Sequence, residues 1–155
     1  MTGIARATSA RTGSLVSGFV AGALSVLVFH QAMLGLLHLA GITPATPWSF
    51  ASTAPFGVPA VLSAAFWGGL WGCVFVLVGP RFPRGPAYWF TAFAFGALAL
   101  TLVAWFVVLP LTGMPVGGGW RPAGMATGLL VTGAWGVGTA LILAAIGRRG
   151  TARAR

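Results

Sequence analysis

The sequence predicts an all-α integral membrane protein, a four-helix transmembrane bundle with both termini on the cytoplasmic side. Three observations carry this. The first is composition: of 155 residues, 57% are hydrophobic and only 6% charged, and the mean hydropathy is +0.93. A soluble domain has about 25% charged residues, and so little polar surface could not cover one. The second is length, because four apolar runs each reach the roughly 20 helical residues that cross a bilayer core. The third is charge placement. All nine charges are arginines, and they gather at the ends of the apolar runs.

Taken in order, the spans are expected at Leu15–Leu39, Ala60–Val78, Tyr88–Leu109 and Ala123–Ile146, within one transmembrane domain covering 1–155. Short basic termini, 1–14 and 147–155, flank them. The first run exceeds the apolar core of a signal peptide and no small-x-small site follows it, so it reads as a span. Pro and Gly punctuate the gaps. The first gap holds Pro44, Pro47, Pro55 and Pro59, the second is the basic "GPRFPRGPA", and the third is "PLTGMPVGGGWRP".

Charge sets direction. Arg6 and Arg11 precede the first span, Arg81 and Arg84 separate the second from the third, and Arg148, Arg149, Arg153 and Arg155 follow the fourth. Eight of nine arginines thus fall on one side, and only Arg121 on the other. Cytoplasmic loops hold the positive excess, so that side is expected to be cytoplasmic. Arg81, Arg84, Arg148 and Arg149 are then placed for anionic lipid headgroups. A basic chain can also signal nucleic acid, but arginines at span ends form no soluble basic face. Trp48, Trp120, Tyr88 and Trp89 are expected as interfacial anchors. The bias toward Ala, Gly, Pro and Arg, without Lys or Asn, suggests a GC-rich bacterial genome.

The two outer gaps share a pattern. "LAGITPATPW" and "LTGMPVGGGW" match at Leu, Gly and Trp with an offset of 72 residues. Two parallel helical hairpin repeats would explain this, and chance in a biased sequence explains it equally.

Small residues let helices approach closely in lipid. Ala64, Gly68 and Gly72 repeat every four residues in the second span, as do Gly124, Gly128, Thr132, Gly136 and Ala140 in the fourth. These stripes predict packing inside the bundle, or a face for a second copy or another membrane protein.

The stretch "SVLVFHQAMLGLLHLAG" places both histidines and the only glutamine of the chain in one span. At 1.5 Å per residue, His30 and Gln31 lie roughly 12–14 Å from the outer end of their span. Trp67, Thr101 and Thr132 fall at about the same depth in the others. Unpaired polar groups in hydrocarbon are costly, so a polar layer joining the four helices is expected. His38 lies nearer the outer interface. The alternative is a site for a solute or a proton. His30 and His38 are about 12 Å apart along one helix, so they cannot share a metal or a haem within one chain. No metal and no cofactor is expected.

With no Asp or Glu, paired-carboxylate acid–base chemistry and a Ser-His-Asp triad are impossible within the chain. "VGGGW" lacks the Gly-Lys-Ser/Thr of a phosphate loop. Cys73 has no second cysteine to pair with and reads as a packing residue. The expected function is therefore non-enzymatic: a membrane protein that packs against itself or a membrane partner. The alternative is a small transporter or channel subunit that binds a solute at the His30/Gln31 layer.

The stretches "FHQAMLGLLH", "PFGVPAVLSAAFWGGLWG" and "LVAWFVVLPLTGMPVGGGW" resemble an uncharacterised group of small proteobacterial membrane proteins. The resemblance spans most of the chain and implies a four-span protein of the bacterial inner membrane. It implies no activity, substrate or functional residue.

Overall fold

The computed structural model describes the backbone of residues 2–54 and 56–153, with side chains from 14 to 148 except Pro55. Four helices are long and apolar enough to cross a membrane: Ser14–Leu39, Ala60–Arg81, Pro86–Leu111 and Pro122–Arg148, hereafter spans 1 to 4. The chain is an all-α, multi-pass membrane protein. Spans 3 and 4 start slightly before their expected apolar stretches, because Pro86 and Pro122 can occupy a first turn of helix. One end of the bundle, hereafter the terminal end, holds the start of span 1, the end of span 4 and the 82–85 connection, and the loop end holds connections 40–59 and 112–121.

Glycine decides which spans touch. Gly18 and Gly22 of span 1 face Gly68 and Gly72 of span 2. A Cβ added to Gly72 would fall on the Gly18 carbonyl oxygen and 3.0 Å from the Gly22 Cα. Spans 3 and 4 repeat the arrangement: a Cβ on Gly136 would fall on the Ala92 carbonyl oxygen and 3.3 Å from the Gly96 Cα. Spans 1 and 4 meet where Gly138 sits under the Phe29 ring and the Ser25 hydroxyl. Spans 2 and 3 are the sequential pair whose backbones stay apart. Rings fill their seam: Phe75 lies 5.5 Å from Phe95 and 5.4 Å from Phe82, and Trp71 lies 6.2 Å from Phe95. The spans therefore pack in the order 2-1-4-3, with spans 1 and 4 at the centre.

The small stripes are used inside the bundle. Gly68, Gly72 and Gly136 are buried and Ala140 is 1% exposed, while Ala64 is half-buried against the core. Gly128 makes looser contact, 3.4 Å from Thr101 Cγ2 to an added Cβ. Gly124 is a correction to the expected stripe: an added Cβ there meets nothing within 4 Å. It lies in the first turn of span 4, past the reach of span 3.

The two hairpins share one backbone geometry at the offset seen in the sequence. Span 1 ends with Gly41 N–H donating to His38 O and Ile42 N–H to Leu37 O, and span 3 with Gly113 N–H to Pro110 O and Met114 N–H to Leu109 O. Both are the Schellman end, which needs a left-handed residue after the cap. Gly41 and Gly113 supply it, at φ 72° and 77°. Among the described residues, the only non-glycines with positive φ are Trp48 and Trp120, again 72 apart. The likeness continues within the membrane. Phe19 covers Gly69 in the first hairpin as Phe93 covers Gly133 in the second. The first hairpin differs by a longer connection with a two-stranded ribbon, Ser52–Thr53 against Val58–Pro59. In the second, "VGGGW" turns through Gly117, Gly118 and Gly119, all with φ between 61° and 75°.

Candidate functional site

The polar groups of the spans do not form one layer. They form three separate links, each with its own local cause.

The first link is a clasp between span 1 and its own connection. Helix geometry widens at Val26–His30, where the Gln31 N–H donates to Val26 O rather than to Leu27 O. Such a π turn frees one carbonyl, and the Trp48 indole Nε1–H takes it, donating to Leu27 O at 2.9 Å. Gln31, only 4% exposed, completes the clasp: its Oε1 accepts the Trp48 backbone N–H at 2.8 Å. The glutamine therefore binds the loop-end connection and not another span. Trp48, expected as a simple interfacial anchor, is folded back onto the helix in a left-handed conformation.

The second link joins spans 1 and 4. Trp135 is fully buried, and its Nε1–H donates to Gly22 O at 2.9 Å. In return the Ser25 hydroxyl donates to Trp135 O at 2.7 Å. Sequence reasoning missed both residues. The signal was present in "GAWGVG", where a tryptophan flanked by glycines has room to enter a helix interface.

The third link is the expected pair Thr101 and Thr132, with oxygens 2.8 Å apart across spans 3 and 4. Thr132 already donates to Gly128 O at 2.7 Å, so Thr101 is the donor between them.

Trp67 does not belong to the layer. It stands 60% exposed on the outside of span 2, edge-on to Phe66, with no hydrogen bond. The depth count was compatible with the layer, but the face of the helix was not. His38 is local as well: its Nδ1 lies 3.2 Å from Thr43 O, bracing the turn that ends span 1.

Two buried side-chain atoms have no partner among the described residues, His30 Nδ1 and Thr139 Oγ1. Thr139 has a visible reason. Thr91, Thr112, Thr127 and Thr132 each donate to the carbonyl four residues earlier. For Thr139 that carbonyl is Trp135 O, which already accepts from Ser25. His30 has no such explanation.

Among the described residues no three of His, Cys, Asp and Glu come together. Cys73 is half-buried, and its thiol donates to Leu15 O at 3.4 Å. Of the expected headgroup arginines, Arg81 donates to Leu77 O at 3.2 Å and caps span 2, while Arg84 and Arg148 are exposed at the terminal end. The side chain of Arg149 lies outside the described residues.

No family model, no curated protein and no solved structure matches the chain.

Proposed function

We propose that this chain is a non-enzymatic protein of the bacterial inner membrane, with both termini in the cytoplasm, that acts by packing against a membrane partner or a second copy of itself. The observation that supports this is where its polar groups go. Gln31, Ser25, Trp135, Thr101 and Thr132 all bind within the chain, in separate links, so each of them already has a partner without a solute. Apart from Gly124, the small stripes are engaged inside the bundle as well, so association uses the lipid-facing sides of the bundle. Orientation rests on the arginine distribution.

Thiol labelling tests the orientation. In a Cys73→Ala background, single cysteines near Phe50 and Val116 should react with an impermeant reagent in intact cells. Cysteines near Ala5, Pro83 and Ala152 should not. The reverse pattern would place the arginine-rich side outside.

A second reading is favoured by one observation, the unpartnered Nδ1 of His30: a solute or a proton is held there. Unfolding in one detergent separates the two readings. Gln31→Leu should lower stability by about 1 kcal/mol, the scale of one interhelical or buried hydrogen bond. His30→Phe should also lose stability if its ring is packing. Neither loss should change much between two pH values set about one unit either side of the unperturbed histidine pKa near 6.5. Unchanged or higher stability in His30→Phe, with loss of a pH response present in the parent, would favour the solute or proton site instead.

A further inference from the structure

The terminal end of the seam between spans 2 and 3 holds a feature that none of the three links uses. The short connection there borders an open recess of about 490 Å3, lined in part by Phe82, Arg84, Gly85, Tyr88 and Trp89. Its wall is fixed by packing. Phe82 plugs the seam, with its ring 5.4 Å from Phe75, 5.9 Å from Phe95 and 6.1 Å from Tyr88. Tyr88 in turn stands edge-on to Trp89 at 5.4 Å. Three of the lining residues carry a donor group that has no hydrogen-bond partner among the described residues: Arg84 its guanidinium, Tyr88 its hydroxyl and Trp89 its indole N–H. Gly85, at φ 75°, makes the turn that puts Arg84 beside the first turn of span 3.

We propose that this recess binds the phosphate of an anionic phospholipid headgroup, with Arg84 as the counter-charge and Tyr88 and Trp89 as hydrogen-bond donors. The chain has no Asp or Glu, so no acidic side chain of its own can neutralise Arg84. The anion must come from elsewhere. Position selects a lipid over a soluble phosphate. Span 2 ends at Arg81 and span 3 begins at Pro86, which sets the recess at the bilayer surface, where headgroup phosphates are concentrated. The flank beyond it is apolar and exposed, with Trp89 at 39% and Phe90 at 74%, and suits the glycerol and upper acyl region of the same lipid. Arginine is suited to phosphate because it stays charged and offers several N–H donors in one plane. It also opposes the ammonium of a zwitterionic headgroup. The inference rests on the chain being bilayer-spanning but not on which side is cytoplasmic. A reversed labelling pattern would therefore leave it standing.

Native mass spectrometry of the full chain in mild detergent provides the test, with phosphatidylglycerol, phosphatidylcholine or inorganic phosphate added. Phosphatidylglycerol should be retained in preference to phosphatidylcholine, and inorganic phosphate should not displace it. Arg84→Gln should lower its retention about fivefold, the effect of one arginine near an anionic surface. Tyr88→Phe combined with Trp89→Phe should lower it as well. Arg121→Gln, at the opposite end of the bundle, should leave it unchanged. Undiminished retention in Arg84→Gln would overturn the proposal, and so would equal retention of the two lipids. Displacement by inorganic phosphate would assign the recess to a soluble anion.

Discussion

Gly136→Leu is expected to abolish the stable bundle, while Gly124→Ala, in the same helix and the same fourfold register, is expected to leave it intact. The difference is one of distance. A Cβ at Gly136 would fall on the Ala92 carbonyl oxygen, in backbone that cannot rotate away, whereas one at Gly124 meets nothing within 4 Å. Gly136→Ala alone should cost about 1–3 kcal/mol, the range for forcing one extra carbon into a packed interface. Gly124→Ala should be neutral or slightly favourable, since alanine loses less backbone entropy than glycine in a helix. Thermal unfolding in detergent reads both. Parent-like stability in Gly136→Ala would mean that spans 3 and 4 do not meet backbone to backbone at Gly136.

Trp135→Ala should cost on the order of 3–5 kcal/mol, the range for deleting a large buried aromatic. Trp135 is fully buried between spans 1 and 4, touches Phe75 of span 2 edge-on at 6.3 Å, and bonds Gly22 O. It thus ties its own helix, span 4, to spans 1 and 2. The Ser25 bond survives the change, because its acceptor is backbone. Trp135→Phe keeps much of the volume and should lose less, mainly the indole bond, about 0.6–2 kcal/mol in a membrane. The control is Trp67→Ala. Its indole is 60% exposed to the lipid side, so the cost should be small. Equal losses at Trp67 and Trp135 would contradict the helix faces seen in the structure.

The site was legible where depth along the helix was enough to bring two polar residues together. Thr101 and Thr132 sit at a common depth on helices adjacent in sequence, and they bond each other. Gln31 was recognised as needing a partner, but not which one. Its partner is a backbone N–H in the first connection, reached because a π turn and a left-handed Trp48 fold that connection back. Neither conformation has a marker in side-chain chemistry. Trp67 was misplaced because depth along a helix follows from counting residues, whereas facing depends on which neighbour is present.

By itself, the sequence determined the span number, the all-α class and, to within a few residues, where the helices end. Each follows from local quantities: the length of an apolar run, the restricted angles of proline and the left-handed freedom of Gly41 and Gly113. The 72-residue offset hinted at a likeness of the two hairpin ends that the backbone geometry then displays. Only the tertiary structure decided the packing order 2-1-4-3, the role of Gly18 and Gly22 opposite Gly68 and Gly72, and the place of Trp135. In lipid every apolar face is equally solvated, so hydropathy carries no information about which faces meet. That choice is made by the fit of small residues against particular backbones on other helices, and the fit exists only once those helices are side by side.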